Sequence, residues 1–372
     1  MPQKIKKEFF LLAFISFFVF VSIFLIEINY IFYSAFVNIF NIKGGESLFL
    51  AVVLLIFSGG FMLMLLTERY FSNSIIRFFY LFTSIWMGMF VYLFLASTIY
   101  LVVSFFIEIP YFVGILLFLI AVAVSLYGII HGKKIVIKKI QISLPNLREQ
   151  WKKRKIVWMS DLHLGPIKGE KFAEKVVQIS NSLSPDLVFI GGDLYDGSHK
   201  PDPFTIARPL KNLSSQLGVF FITGNHEEFG DPSFFLSAVE KLGFKILDNK
   251  MVEIDDLQII GVDYLSSSAK KQFKKILEDV KINREKPAIL LKHEPKNLKV
   301  AEKAGISFQI SGHTHNGQQW PFNYLTSIMY HGFSYGLKHH GSMPVYISSG
   351  TGGWGPPLRV GSDYEIVEIT LI

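Results

Sequence analysis

Hydrophobic positions are distributed unevenly along this 372-residue chain. The first third contains four long apolar runs without an internal charge, which lie at Phe9–Ile26, Ser47–Leu66, Phe78–Ile107 and Tyr111–Ile130. Each run reaches the roughly 18–20 residues that a helix needs to cross a hydrocarbon core of about 30 Å. Buried helices of a soluble domain are the alternative, but four such runs would leave no polar face for water. The pattern therefore predicts a transmembrane region with four spans in residues 1–131.

The second part of the chain alternates between short apolar segments and stretches with helical periodicity. Strands are predicted at 135–144, Lys155–Ser160, Asp186–Gly191, Gly218–Thr223, 244–254, 257–262, Ala288–Lys292, Ile306–Ser311, Pro344–Ser349 and Tyr364–Leu371. Helices are predicted at Gly169–Leu183, Pro203–Ser215, Pro232–Leu242, Ala269–Lys281 and Lys296–Ala304. Alternating strands and helices followed by a strand-rich tail predict an α/β fold, a two-sheet β-sandwich flanked by helices.

The net charge of +7 is concentrated in one short segment. Residues 132–155, which we call the basic strip, carry nine Lys and Arg against a single Glu. Basic residues also precede the first apolar run and separate the second from the third, so the positive-inside rule places both chain ends in the cytoplasm. We expect the strip to attract anionic lipid headgroups, with no nucleic-acid partner. The chain then consists of a multi-pass region (1–131) in the inner, cytoplasmic membrane, a juxtamembrane strand and linker (132–155) and a C-terminal domain (156–372).

Polar residues cluster directly after five of the predicted strands. The five segments are Asp161-Leu162-His163, Gly192-Asp193-Leu194-Tyr195-Asp196, Gly224-Asn225-His226-Glu227, Lys292-His293-Glu294-Pro295 and Gly312-His313-Thr314-His315. Sites in α/β folds assemble at the carboxyl ends of strands, and donors two residues apart lie on the same side of an extended chain. Each motif alone is more often a polar turn, but all five in order predict one common site.

The donors of this site are carboxylates, an amide and imidazoles, without sulfur, because the chain contains no Cys. Such a set suits Mn, Fe, Zn, Ni or Co better than Ca or Mg. It is too large for one ion and therefore predicts two divalent cations that share a bridging ligand. The lack of Cys also excludes disulfides, iron–sulfur clusters and cysteine nucleophiles.

The motifs DLH, GDLYD, GNHE, KHEP and GHTH together resemble those of the calcineurin-like metallophosphoesterase superfamily. The stretches GHTHNGQ and SSGTGGWGPPLRVGSDYEI resemble its bacterial, membrane-anchored phosphodiesterase branch, and the likeness covers roughly residues 133–372. The resemblance implies a metallophosphoesterase catalytic domain at 156–372 with two divalent metal ions, manganese being favoured over iron, zinc, nickel or cobalt.

The resemblance also implies a role for each motif residue. It assigns one cation to Asp161, His163 and His315, and the second cation to Asn225, His293 and His313. Asp193 would bridge the two cations. His226 would contact the phosphate or protonate the leaving oxygen, and Asp196 would orient its imidazole. A hydroxide that bridges the cations would then attack phosphorus in line, without a covalent intermediate.

The predicted function is hydrolysis of a phosphoester, most simply a lipid- or nucleotide-linked one, by a membrane-anchored enzyme. Some bacterial members of the superfamily cleave UDP-2,3-diacylglucosamine in lipid A synthesis, and such a hydrolase is one alternative. A membrane scaffold or sensor that uses the domain as a binding platform is the alternative of another class.

One aromatic-rich set either forms an apolar lip to the site or packs as ordinary loops; its members are Trp320, Phe322, Tyr324, Tyr330, Phe333, Tyr335 and Trp354. His199, His339 and His340 are expected in solvated polar loops.

Overall fold

The structure of the protein is a computed structural model that describes residues 23, 25–68, 71, 73–197, 202–229 and 231–372. The described residues form two compact units. One contains the described residues up to Thr67 together with Phe78–Tyr127, and it is helical. The other contains Glu68–Arg77 and Gly128–Ile372, and it is mainly an α/β structure.

Among the described residues, three helices are long and apolar enough to cross a membrane. They are α2 (Gly45–Glu68), α3 (Ser74–Phe106) and α4 (Tyr111–His131). They coincide with the second, third and fourth predicted spans to within a few residues. The sequence sets these bounds because charged or turn-forming residues flank each apolar run.

Most of the predicted first span, Phe9–Ile26, lies outside the described residues. The described helix there is α1 (Leu25–Phe40), which continues beyond the predicted end of the apolar run at Ile26. The helix continues through Glu27, which is at an exposed position. Within this unit Asn29 Nδ2 donates to Ser58 Oγ of α2 at 3.0 Å, the kind of polar pair that joins helices where water is scarce.

The second unit contains two mixed six-stranded sheets. The first sheet has the order β1-β12-β2-β3-β4-β5 and the second the order β10-β11-β9-β8-β7-β6. The strands are β1 (Ile135–Ile142), β2 (Lys155–Met159), β3 (Leu187–Ile190), β4 (Val219–Phe221), β5 (Lys245–Ile246), β6 (Lys250–Ile254), β7 (Leu257–Gly261), β8 (Ala288–Leu291), β9 (Phe308–Ser311), β10 (Gly336–His340), β11 (Met343–Ile347) and β12 (Tyr364–Leu371). Strands β2 to β5 run parallel, as do β7, β8, β9 and β11.

The helices of this unit are α5 (Glu170–Ser182), α6 (Pro203–Ala207), α7 (Asn225–Glu228), α8 (Pro232–Leu242), α9 (Tyr264–Ser268), α10 (Lys270–Asp279), α11 (Leu298–Ala304) and α12 (Phe322–Met329). Short 3₁₀ turns occur at Glu149–Trp151, Arg208–Asn212 and His315–Gly317. Helices α5, α6 and α8 pack on the first sheet, and α10 and α11 pack on the second.

The central strands are buried on both faces, which is why they read as continuous apolar runs. In β3, Leu187 and Phe189 point into the core between the sheets, while Val188 and Ile190 point toward the helices of the first sheet. The predicted two-sheet sandwich flanked by helices is therefore confirmed. The sandwich fixes the carboxyl ends of β2, β3, β4, β8 and β9 as rigid supports for the residues that follow them.

Three local predictions need correction. The predicted helix Pro203–Ser215 is a short α6 followed by the 3₁₀ turn, because Pro209 has no main-chain N–H with which to continue the α-helical hydrogen bonds. Strand β10 and helix α12 are absent from the sequence prediction. His339 and His340 lie on β10 rather than in a loop, and His340 Nδ1 is 3.1 Å from Glu302 Oε2. His199 lies outside the described residues.

Candidate metal centre

All seven predicted ligands follow the carboxyl ends of five strands. Asp161 and His163 follow β2, Asp193 follows β3, and Asn225 begins α7 just after β4. The remaining three, which follow β8 and β9, are His293, His313 and His315. Because β2, β3 and β4 are parallel neighbours in one sheet and β8 and β9 in the other, their ends deliver side chains to one place.

Donor atoms at this place form three overlapping groups in which all members lie within 4.8 Å of one another. The groups are Asp161, His163 and His315; His163, Asp193 and His226; and Asp193, His293 and His313. The first and third groups correspond to the two predicted cation sites. The remaining predicted ligand is Asn225, which carries an amide instead of a carboxylate or an imidazole. Its Oδ1 is buried without a protein hydrogen-bond partner among the described residues, as a ligand atom would be.

Asp193 lies between the two sites. Its Oδ2 is 3.3 Å from His293 Nε2, 3.8 Å from His163 Nε2 and 4.0 Å from His226 Nε2. Its Oδ1 accepts a hydrogen bond of 2.9 Å from the main-chain nitrogen of His226. One carboxylate oxygen thus faces ligands of both predicted cations, which is the position of a bridging group.

The backbone is strained where the ligands sit. Five of the seven predicted ligands have positive φ angles between 48° and 70°, namely Asp161, His163, Asp193, His313 and His315. This left-handed region is uncommon for residues other than Gly, and each such residue costs of order 1–3 kcal/mol. The surrounding sandwich holds these conformations in place, so the donors are already turned toward one another.

Hydrogen bonds to acceptors determine which imidazole nitrogens face the centre. His293 Nδ1 lies 2.7 Å from the carbonyl oxygen of Gly191, and His226 Nδ1 lies 2.8 Å from that of Asp196. A carbonyl only accepts, so Nδ1 of both rings carries the proton and Nε2 faces the site. His313 is turned the other way, because its Nε2 lies 3.6 Å from the carboxylate of Glu294 and its Nδ1 lies 3.2 Å from His293 Nε2.

Burial gives the metal-free centre a distinctive charge state. Burial lowers the pKa of His163 and His315 well below the usual range, and the neighbouring His226 and Arg359, respectively, reinforce the effect. Burial raises the pKa of Asp161 to about 6. Burial also opposes ionisation of Asp193, but His293 and His226 hold the pKa of this carboxyl well below its usual range. The site therefore offers the neutral imidazoles of His163 and His315 and the carboxylate of Asp193, which are forms that bind cations. Burial opposes protonation of His293, but Asp193 raises the pKa of that imidazole to about 10, so His293 releases a proton when it binds a cation.

One side of the centre is open. Asp161, His163, Asp193 and His293 are at most 3% exposed, whereas the side chains of His226, His313 and His315 are 15–20% exposed. A substrate therefore reaches the centre from the side of these three imidazoles. His226, the predicted proton donor, lies on that side.

Asp196 contacts His226 through its main chain, as described above, whereas the resemblance implied a role for its carboxylate. That carboxylate lies against Gly165, where an added Cβ would overlap Oδ2. Close approach of this kind requires a glycine, so Gly165 and Asp196 fix the loop below His226 together.

Three positioning residues have no assigned role in the sequence prediction. The buried carboxylate of Glu227 accepts hydrogen bonds of 2.8–3.1 Å from the main-chain nitrogens of Asp193, Tyr195 and Gly224, and so clamps two ligand loops together. Glu294 fixes His313, and Arg359 reaches the His315 loop. Glu227 and Glu294 stand next to predicted site residues, which is the only local signal for them. Arg359 lies 44 residues from His315, and the only signal for it is its place in the stretch SSGTGGWGPPLRVGSDYEI, which assigned it no role.

Arg359 is a fully buried guanidinium. Nη1 donates to the carbonyl oxygen of His315 at 2.8 Å, and Nη2 donates to the carbonyl oxygens of Ser349 and Gly352 at 2.9 and 2.7 Å. Its central carbon lies 4.3 Å from the ring centroid of Tyr364. It joins the His315 turn to the loop after β11.

The aromatic set divides into two classes. Tyr330, Phe333 and Tyr335 pack inward; Tyr330 donates to Glu294 Oε1 at 3.2 Å and Tyr335 to Glu365 Oε2 at 3.1 Å. The remaining four are 39–61% exposed, namely Trp320, Phe322, Tyr324 and Trp354. The Trp354 ring lies 6.1 Å from that of His226, so part of the set is beside the open side of the centre.

Sequence comparisons bear on this centre. Residues 154–317, which contain all five motifs, match the profile of the calcineurin-like phosphoesterase family. A protein of Aquifex aeolicus named as an uncharacterized metallophosphoesterase is 32% identical over 224 residues, which cover 58% of this chain and 84% of that protein. A Helicobacter pylori protein of the same description is 35% identical over 226 residues, 59% of this chain and 60% of that protein.

The similarity extends to a relative named for membrane helices. A Danio rerio transmembrane protein with metallophosphoesterase domain is 31% identical over 278 residues, 69% of this chain and 62% of that protein. The matched region thus spans less than two thirds of the Helicobacter and Danio proteins and most of the Aquifex protein.

Proposed function

The chain belongs to the calcineurin-like metallophosphoesterase family, and from this premise we propose that it hydrolyses a phosphodiester with two divalent cations held between its sheets. The family and the class of phosphoester hydrolase, both predicted from the motifs, are confirmed by the comparisons. The observation that carries the proposal is the overlap of three donor groups around Asp193, each within 4.8 Å.

The donor set fits two cations. Asp161, His163 and His315 would hold one, and Asn225, His293 and His313 the other, with Asp193 between them. The orphaned Asn225 Oδ1 and the neutral imidazoles support this assignment. Two bound divalent cations supply an activated water and neutralise phosphoryl charge during in-line displacement. Manganese is the proposed metal, since oxygen and imidazole donors without sulfur suit it.

His226 is the proposed acid for the leaving group. Its Nδ1 proton is held by the carbonyl of Asp196, so proton exchange with a substrate takes place at Nε2. This atom faces the centre, 4.0 Å from Asp193 Oδ2, while its ring remains partly exposed. A protonated His226 can therefore give its Nε2 proton to the departing oxygen and afterwards regain it from water.

The substrate is proposed to be amphipathic, with its phosphoester reached at a membrane surface. In the described part of the chain, three helices long and apolar enough to cross a membrane suggest membrane association, and the basic strip suits a surface of anionic headgroups. By the positive-inside rule the catalytic unit would lie on the cytoplasmic side. A lipid-linked nucleotide is one substrate of this class, and the UDP-2,3-diacylglucosamine hydrolase reaction is its most specific version.

The test uses the full-length protein purified in detergent. Metal content is measured by mass spectrometry, and turnover is measured with added Mn²⁺ on an aryl phosphodiester, on a phosphomonoester, on phosphodiester lipids and on UDP-linked acyl sugars. We expect two metal ions per chain and hydrolysis of phosphodiesters, fastest for a lipid-linked one.

Two results would overturn this proposal. A protein that purifies without transition metal and hydrolyses no member of the panel would be a scaffold or sensor. A protein that binds two ions and cleaves only water-soluble monoesters would be a phosphatase, and the proposed substrate class would be wrong.

A further inference from the structure

Helix α12 is amphipathic, but its two faces are reversed relative to a soluble surface helix. Its apolar side chains are the exposed ones, at 39–73%; they are Phe322, Tyr324, Leu325, Ile328 and Met329. Its polar residues Asn323, Thr326 and Ser327 are partly covered, and Asn323 Oδ1 is buried. The spacing 324, 325, 328 and 329 places four apolar side chains on one face. A surface helix in water normally turns such a face toward the core.

The segment before α12 is joined to the loop that holds the end of α4. Trp320, which is 46% exposed, donates its main-chain N–H to the carbonyl oxygen of Val360 at 2.8 Å. In the same loop, the main-chain nitrogen of Arg359 donates to the carbonyl oxygen of Gly128 at 3.0 Å. Gly128–His131 is the last turn of α4 and belongs to the same unit as α12. Because α4 has the length and composition of a membrane span that ends at His131, its last turn is expected at the boundary between membrane and water.

Positive charge lies beside the segment that follows α12. Lys138 of β1 places its Nζ 5.9 Å from the ring centroid of Tyr335, six residues after the end of the helix. Lys138 belongs to the basic strip and is half-buried, whereas Lys134 and Lys139 of the same strip are exposed. Exposed aromatic and aliphatic side chains bordered by lysines are typical of helices that lie in a membrane interface.

We propose that α12, together with Trp320, inserts its apolar face into the surface of a bilayer that contains anionic lipids. Trp354 lies close to the segment before α12, because Gln318 Nε2 donates to its carbonyl oxygen at 3.1 Å, and its ring lies 6.1 Å from that of His226. A phosphoester lipid can then keep its acyl chains in the bilayer while its phosphate reaches the metal centre. This consequence rests on the proposed function, whereas insertion of α12 does not.

Insertion is tested by site-directed spin labelling, for which the chain is well suited because it has no Cys. Ile328→Cys, at a position 73% exposed, is labelled with a nitroxide in full-length protein in nanodiscs of phosphatidylcholine and phosphatidylglycerol. Lys275→Cys, on the exposed face of α10, is the matched control. We expect the label at 328 to collide more with oxygen than with a water-soluble nickel chelate, and the label at 275 to show the reverse.

Equal access of the nickel chelate to both labels would overturn the proposal. The proposal would also be overturned if the label at residue 328 were shielded from both oxygen and the nickel chelate in a nanodisc that holds two chains. In that case a second copy of the protein would cover α12. Neither readout depends on metal or turnover, so it remains valid even if the proposed phosphodiesterase activity is absent.

A second measurement tests the consequence. Leu325→Asp/Ile328→Asp is assayed on a phosphodiester lipid in the nanodisc and on a water-soluble aryl phosphodiester. Burial of one such aliphatic side chain is worth roughly tenfold in a partition equilibrium. We therefore expect the lipid-to-soluble turnover ratio to fall by about tenfold or more. An unchanged ratio would mean that α12 does not deliver a lipid substrate.

Discussion

Replacement of Arg359 is the strongest test of how this centre is held. Its guanidinium is the hydrogen-bond donor to three main-chain carbonyls, those of His315, Ser349 and Gly352. Arg359→Met keeps much of the volume and removes every donor. Each buried carbonyl left unpaired costs about 1–3 kcal/mol, so we expect a loss of about 3 kcal/mol or more in the free energy of unfolding.

This loss has two measurable consequences. For a unit of roughly this size, 1 kcal/mol corresponds to a Tm shift of about 2–4 °C, so Arg359→Met is expected to lower the Tm of the detergent-solubilised protein by about 6 °C or more. The His315 turn also loses its anchor. Because residues that orient a ligand typically contribute about 10–100-fold to metal affinity, the variant should retain less metal after dialysis.

Arg359→Lys and Arg284→Met are the matched controls. Lysine keeps the charge but has one nitrogen, which cannot reach carbonyls on both sides of a planar fork, so it should rescue the defect only in part. Arg284 is exposed and donates to a single carbonyl, that of Lys303, so its replacement should change Tm little. If Arg359→Met lowers Tm no more than Arg284→Met and retains wild-type metal content, the anchoring role is refuted.

The other predictions concern the ligands and their partners. Asp193→Asn should abolish turnover on an aryl phosphodiester and reduce metal content, because it weakens the ligand shared by both cations; wild-type turnover would contradict the mechanism. Glu294→Gln should weaken metal binding and increase the fraction of His313 with its proton on Nδ1, which NMR of labelled histidine can detect; Glu278→Gln, on exposed α10, is the control. Metal retention should fall as the pH drops through about 6, because burial raises the pKa of Asp161 to about 6 and its protonated carboxyl is a poor ligand. A metal content after dialysis that stays constant between about pH 5 and 8 would contradict this expectation.

The convergence of the candidate donors was predictable from the sequence. Asp161 and His313, for example, each follow a short apolar run that only a doubly buried strand explains, and the parallel arrangement brings such strand ends together. The apolar helices α2 to α4 were equally predictable, since their length and apolar composition are properties of the sequence. The described part of α1 was predicted less well, because a charged residue such as Glu27 normally ends an apolar run. In the structure the helix continues through Glu27, whose side chain is exposed.

The arrangement of the centre was decided by contacts between distant segments. The carbonyl oxygen of Gly191, 102 residues from His293, decides which nitrogen of that imidazole faces the site. The turn at His315 is held by the guanidinium of Arg359, 44 residues away. No local pattern encodes such pairs, because periodicity reports only the environment along one element.

Helix α12 shows the same division between sequence and tertiary structure. Its sequence contains an apolar face and a polar face, and local rules assign the apolar face to the core. The exposure of this face follows from a contact with another segment. Asn323 is held against the turn after His315, where an added Cβ on Gly317 would overlap the main-chain nitrogen of Asn323. Local sequence patterns were thus enough to predict the candidate ligands, most of the strands and three apolar helices. Long-range packing set the orientation of the candidate ligands and the surface that α12 presents.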